Sequence, residues 1–233
     1  MELYNTLFNS LSHELRTPIA AIIGATDNLL MKPNKLTKEN KLDLIAEISV
    51  ASLRLNQQVS NLLNMSQLES GGIHPKKDWC DINELLYKTT GPLEENNRQH
   101  TIIITVQHNL PLFFVDRNLL GQALYHLVQN AILYTPENTC VTLKANCADG
   151  KCIITVEDEG RGFPQAEINK VFDKFYRLKD SVTGGTGLGL SIAKGFIEVQ
   201  GGTITVENNH TGGATFTITI NAASSCLNVL SNE

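Results

Sequence analysis

No stretch of this 233-residue chain approaches the ~18–20 consecutive apolar residues that a membrane-spanning helix needs, which excludes a transmembrane helix within it. Positive charge is also short. Nineteen Lys and Arg against 24 Asp and Glu leave a formal net charge of −5 with no basic stripe, so nucleic acid is not an expected partner. Cysteine is sparse and unsuited to cross-linking. Cys80, Cys140, Cys147, Cys152 and Cys226 are odd in number and lack C-x-x-C spacing, so neither a disulfide framework nor a zinc site is expected, and the thiols read as reduced. The start has no signal-peptide pattern. A helical pattern is already under way at Met1, which leads to the expectation of upstream regions, membrane-bound, outside this chain.

What is present is a soluble composition, 42% hydrophobic and 18% charged, in a length that suits two small domains. Leu3, Leu7, Leu11, Leu15, Ile19 and Ile22 recur every three or four residues, the spacing of one buried helical face. His13 stands two residues from both Leu11 and Leu15. It therefore falls roughly 200° round the helix from each and is expected on the polar side, among Glu14, Arg16 and Thr17. Taken alone, such a histidine is an ordinary solvated side chain.

The first helix is predicted from near Glu2 to about Leu30, interrupted or bent near Pro18. A turn follows at Lys32-Pro33-Asn34-Lys35. Thr37 is the expected N-cap of a second helix reaching about Glu69, with a stripe of Leu44, Ile48, Ala51, Leu55, Val59 and Leu62. A lone hairpin of this kind leaves much of both stripes in water, so two chains are expected to pair as a four-helix bundle. Gly71-Gly72 then ends the helical period. The expected organisation is a dimerisation hairpin over 1–70, a linker over 71–77, a mixed domain over 78–222 and a fraying tail over 223–233. In the mixed domain, strands are predicted at 102–106, 141–143, 153–156, 203–206 and 215–220, with helices near 83–97, 118–134 and 188–200. The fold class is α+β, with helices layered on a mixed sheet.

Three segments of that domain carry chemistry. Asn130, in Gln129-Asn130-Ala131-Ile132-Leu133-Tyr134, ends a helix and offers a neutral oxygen suited to Mg²⁺; as a bare residue it more often serves a surface or capping role. Asp158-Glu159-Gly160-Arg161-Gly162 follows an apolar strand. A carboxylate there suits an adenine amino group, and the glycines admit a close ligand, though Asp and Gly also build plain turns. Gly184-Gly185-Thr186-Gly187-Leu188-Gly189-Leu190 opens a helix whose exposed amides suit phosphate; the plain alternative is a hinge. It lacks the Gly-Lys-Ser/Thr of a P-loop.

In order, Ser12-His13-Glu14-Leu15-Arg16-Thr17-Pro18, Asn130, Asp158-x-Gly160-x-Gly162, Phe172-Asp173-Lys174-Phe175-Tyr176-Arg177 and Gly185-Thr186-Gly187-Leu188-Gly189-Leu190 resemble the boxes of bacterial sensor histidine kinases, over nearly the whole chain. The resemblance implies a dimerisation and phosphoacceptor hairpin followed by a Bergerat-type (GHKL) ATP-binding α/β sandwich. It implies that His13 accepts phosphate, that Glu14 is the base or orienting partner, and that Thr17 positions water when the regulator is dephosphorylated. It further implies that Asn130 holds Mg²⁺, that Asp158 reads adenine and that Tyr134 lines the site. Gly160, Gly162, Gly185, Thr186, Gly187, Leu188, Gly189 and Leu190 would shape the pocket and its lid. Phe172 and Phe175 would anchor that lid, with Lys174 and Arg177 near the phosphates. The implied cofactors are ATP and Mg²⁺. The implied partners are a second copy and a response-regulator receiver domain, and the implied location is the cytoplasmic part of an inner-membrane-anchored sensor.

Two positions depart from the family pattern Asn-Leu-Leu-x-Asn-Ala-x-Lys-Tyr, because His126 replaces the first asparagine and Leu133 the lysine. Losing that lysine predicts weak triphosphate binding unless Lys174, Arg177 or Lys194 compensates. His126 suits Mg²⁺ only through water. Two alternatives stay open on sequence grounds. One is an ATPase of the same fold that drives conformational change, as in gyrase B, MutL or heat-shock chaperones. The other is a phosphotransfer scaffold with a degenerate ATP site.

Overall fold

The computed structural model describes residues 2–31, 36–96, 99–178, 186–210 and 212–225, with side chains from Ser12 onward except those of His13 and Asn96. The turn expected at 32–35 lies outside them. Helix α1 (Glu2–Met31) runs through Pro18 without a break, and the proline ring is buried. A proline removes one hydrogen bond and crowds one turn, a local cost that a 30-residue helix absorbs. Helix α2 (Lys38–Glu69) starts as its cap predicts, with Thr37 Oγ1 accepting the Asn40 amide at 3.1 Å.

The buried face of α2 differs from the expected stripe. Ala51, Gln58, Asn61 and Met65 are buried, whereas Val59 and Leu62 are exposed. Gln58 and Asn61 each precede an expected stripe residue by one position, a rotation of about 100°. Gln57 Nε2 donates to Asn61 Oδ1 at 2.9 Å, which gives that half-hidden amide a partner.

Two compact units result. One contains residues 2–66 together with Thr186–Leu188, and the other contains 67–178 and 189–225. In the second, a five-stranded sheet is built from β2 (Thr101–Val106), β4 (Cys140–Ala148), β5 (Lys151–Asp158), β6 (Gly202–Asn208) and β7 (Ala214–Asn221), in the order β2-β4-β5-β7-β6. Only β2 and β4 run parallel. Period-2 alternation gives the sheet one dry face. Val141, Leu143, Ile154, Val156, Phe216, Ile218 and Ile220 are buried there beneath α3 (Ile82–Asn96), α4 (Arg117–Tyr134) and α5 (Gly189–Glu198). The opposite face carries polar residues such as Thr142, Lys144, Thr155 and Glu157, with Lys144 and Glu157 paired at 2.8 Å.

A second, three-stranded sheet joins β1 (Asp78–Cys80), β3 (Leu112–Val115) and β8 (Ser224–Ser225). Sequence periodicity misses all three because they are too short to show a period. Ser224–Ser225 therefore corrects the expectation of a tail fraying from 223. The Phe114 amide donates to the Ala223 carbonyl at 2.9 Å, and main-chain bonding of this kind needs no apolar side chain.

Helix α4 is fixed at its start by Asp116, a buried carboxylate. Its Oδ1 accepts the amides of Asn118 and Leu119 at 2.9 and 3.0 Å, and its Oδ2 accepts that of Lys76 at 2.6 Å. The Asp116 amide in turn donates to Gln200 Oε1 at 2.9 Å. The helix that carries His126, Asn130 and Tyr134 is thereby tied to the segments before β1 and after α5.

Candidate nucleotide-binding site

His126, Asn130 and Tyr134 are spaced four residues apart and so lie on one face of α4. That face links two glycine-bearing segments. At one end, a Cβ on Gly189, the first residue of α5, would lie 3.5 Å from His126 Nδ1. At the other, a Cβ on Gly160 would lie 3.4 Å from the Tyr134 carbonyl and 2.8 Å from Asp158 Oδ1.

Asp158 ends β5 and is buried, with its Oδ1 accepting the amides of Gly160 at 2.8 Å and Ala214 at 3.2 Å. Burial pushes its carboxyl above the ordinary value, and these two backbone donors oppose the shift. Oδ1 is thus occupied by amides. Oδ2 is the remaining acceptor, the arrangement required to receive an exocyclic amino group.

The turn after Asp158 is held by residues that sequence reading missed. Asn208 clamps it from both sides, its Oδ1 accepting the Phe163 amide and its Nδ2 donating to the Phe163 carbonyl, each at 2.8 Å. Asn209 Nδ2 donates to the Asp158 carbonyl at 2.9 Å. Gly162 sits at φ +62°, and a Cβ there would lie 2.6 Å from Asn208 Oδ1. The available signal was Asn208-Asn209 followed by Gly212-Gly213, which as sequence reads only as a hairpin turn.

His126 is buried, and burial holds its imidazole down to about 4, so the ring is neutral. Leu133 is 43% exposed. Of the three candidate replacement cations, Lys174 meets Glu69 at 2.6 Å. Lys194 lies 3.7 Å from Glu198 and 5.6 Å from the centre of the Phe172 ring. Arg177 is partly buried. Phe172 packs edge-on against Phe216 at 6.2 Å, while Phe175 adopts φ +62°, a conformation costly for a non-glycine residue. The Tyr176 hydroxyl donates to Glu167, which with burial pushes its ionisation up to about 12.

In the first unit, Gly187 has φ +67° and the Leu188 amide donates to Thr186 Oγ1 at 3.4 Å. Gly189 and Leu190 open α5. Gly185 and the side chain of His13 lie outside the described residues. Glu14 is partly buried and its carboxylate lies 3.8 Å from the Arg54 guanidinium on α2, while Thr17 is exposed. Arg54 is a further residue that sequence reading did not single out.

The desolvated Asp158 acceptor, the glycine approach and the α4 face form a candidate nucleotide site on an α/β domain. Comparison with known families agrees. Residues 115–224 match the histidine kinase-, DNA gyrase B- and HSP90-like ATPase family, and residues 4–71 match the His Kinase A phospho-acceptor domain. The chain belongs to the histidine kinases of two-component signalling, as a helical phospho-acceptor hairpin followed by an α/β ATPase domain. It is 32% identical over 222 residues to the sensor protein KdpD of Escherichia coli strain K12, covering 94% of this chain and 24% of that protein. Across the first curated relatives the chain spans only 15% to 29% of their length. Among solved structures, full-length ShkA in complex with AMPPNP superposes with a TM-score of 0.70 at 27% identity, covering 95% of this chain and 46% of that one. ThkA in complex with the response regulator TrrA shares the fold, with a TM-score of 0.67 at 23% identity over 94% of this chain and 62% of that one.

Proposed function

We propose that this chain is the transmitter region of a sensor histidine kinase, which phosphorylates itself on His13 from ATP and passes the phosphoryl group to an aspartate of a response-regulator receiver domain. The observation that carries the reading is the joint presence of a phospho-acceptor hairpin and, later in the chain, a domain with a desolvated aspartate closely approached by Gly160 and Gly213. The AMPPNP bound to ShkA supports ATP as the donor, and the ThkA–TrrA complex supports the regulator as acceptor.

The residues fit a bound nucleotide and Mg²⁺. Asp158 Oδ2 would accept the adenine amino group, Asn130 would offer its side-chain oxygen to Mg²⁺, and the amides opening α5 would meet phosphate. Mg²⁺ when bound supplies charge neutralisation at the phosphates. His13 would bring a ring-nitrogen lone pair to the γ-phosphorus, and Glu14 would take the proton of the other ring nitrogen as the bond to ADP breaks. Thr17, one turn on, positions water for dephosphorylation of the regulator.

Exposed Ile23, Leu42, Ile45, Val50, Leu53, Val59 and Leu63 along the hairpin support pairing of two copies in a four-helix bundle. Among the described residues no helix is long and apolar enough to cross a membrane; the proposed location is the cytoplasmic portion of a membrane-anchored sensor.

The test is incubation of the full chain with Mg²⁺ and γ-³²P-ATP, followed by mapping of the label. Acid-labile, base-stable label on wild type, lost in His13→Ala with folding intact, is the expected result. Undiminished label in that variant sinks the assignment. Failure of wild type to label, together with uptake of phosphate from a phosphorylated regulator, replaces it with a phosphotransfer scaffold.

A further inference from the structure

The hairpin joining β4 to β5 carries two thiols for which the nucleotide site has no use. The strands meet at Asp149-Gly150, with φ of 51° and 73°, the two positive values that mark a type I′ turn. Ala148 pairs with Lys151, and the next pair outward places Cys147 directly opposite Cys152.

In a two-residue hairpin the pair flanking the turn is hydrogen-bonded. The following pair is then of the non-bonded kind, with Cα atoms about 4.5 Å apart. The direction of the Cys147 amide agrees, since it donates to Gln107 Oε1 at 2.9 Å, on the β2 side of β4 and away from β5. A separation of about 4.5 Å lies within the ~4.4–6.8 Å that a disulfide spans. Facing residues also share one side of the sheet. Both thiols are free, with Cys152 fully buried beside Ile154 and Cys147 partly open to solvent.

We propose that Cys147 and Cys152 form a redox-modification site that closes into a reversible cross-strand disulfide on exposure to a hydroperoxide. The Cys147 thiolate attacks the terminal peroxide oxygen, the O–O bond breaks, and an alcohol or water leaves. The sulfur is now a sulfenic acid. The Cys152 sulfur attacks it, the S–O bond breaks, and water leaves with the thiol proton. Two thiols lose two electrons and one peroxide gains them. Cys147 reacts first because solvent reaches it, whereas burial pushes the Cys152 thiol up to about 12.

Asp158 stands six positions further along β5, roughly 20 Å from Cys152, so the cross-link closes far from the nucleotide end of the strand. The rival partner is Cys80, whose charge is near enough to act on Cys152. Cys80 belongs to β1 in the other sheet, and no strand pairing sets it opposite Cys152.

Tryptic mapping of the peroxide-treated full chain decides the matter. Trypsin cuts after Lys144, Lys151 and Arg161, so the disulfide joins two separate peptides, 145–151 and 152–161. The expected result is that linked pair, lost on reduction with dithiothreitol and absent from Cys147→Ser. Linkage of 152–161 to the peptide bearing Cys80 overturns the proposal. So does recovery of Cys147 as a sulfinic acid with Cys152 still alkylatable, or recovery of both as free thiols at peroxide levels that fully oxidise glutathione.

Discussion

Gly213 lies so close to Asp158 that a Cβ on it would fall 1.9 Å from the Asp158 carbonyl oxygen and 2.9 Å from its Oδ1. No side-chain rotation relieves a contact with backbone. Gly213→Ala is therefore expected to push the β6–β7 turn off the strand end, costing about 1–3 kcal/mol of domain stability and at least ten-fold in nucleotide affinity. Thermal denaturation and ADP titration measure the two effects. An alanine variant with wild-type affinity counts against this contact as the support of the site.

In the proposed role, Asp158 would read adenine only as an acceptor. Its carboxyl is raised by burial, so protonation sets in at a higher pH than for an ordinary aspartate, and the acceptor is lost as pH falls through that raised value. ADP affinity is expected to weaken on acidification in wild type. Asp158→Asn should bind about 100-fold more weakly at neutral pH and show no such dependence. Calorimetric titrations of both proteins between pH 4.5 and 8 check this, and parallel pH profiles would contradict it.

His126 titrates with a consequence for stability. Its folded value of about 4 lies below the ordinary 6.5, so its contribution is complete above pH 6.5 and is lost as pH falls through 4. The full span amounts to about 3 kcal/mol. His126→Asn should flatten the urea-unfolding stability of the domain over that window, and an unchanged slope would show that another group is responsible.

Leu133 stands where the family has lysine and is exposed, so a lysine fits without repacking. Leu133→Lys is expected to tighten Mg²⁺-ATP binding about three- to ten-fold, with the gain shrinking at high salt. Equal affinities at low salt would show that the missing charge is already supplied from elsewhere.

Glu14 and Arg54 make an ion pair at 3.8 Å across the hairpin, with the arginine 42% exposed. As the proposed base, Glu14 should matter far more than its partner. Glu14→Gln is expected to slow autophosphorylation about 100-fold, and Arg54→Ala only a few-fold, because half-exposed pairs at this distance are weak. Initial rates of labelling at saturating ATP measure both.

Much of the candidate site was legible in order along the chain. Asp158, Gly160 and Gly162 stand out as a carboxylate followed by two glycines after an apolar strand, a pattern that by itself also builds plain turns, and Thr37 marked its helix start through one hydrogen bond. Asn208, Asn209 and Gly213 did not, because their role depends on the β6–β7 turn folding back over the end of β5, some fifty residues earlier in the chain. The same limit hid β1, β3 and β8, which are too short to carry a period.

By itself the sequence determined the local elements and the chemistry they bear: two long amphipathic helices, alternating strands, and a phospho-acceptor box far upstream of a nucleotide box. These follow from short-range rules of spacing, capping and turn formation. Tertiary structure decided which face of α2 is dry, that His126 is neutral, that Asp158 has one oxygen already occupied, and that Cys147 faces Cys152. Each of those depends on desolvation or strand register, and both arise only when segments distant in the chain pack together.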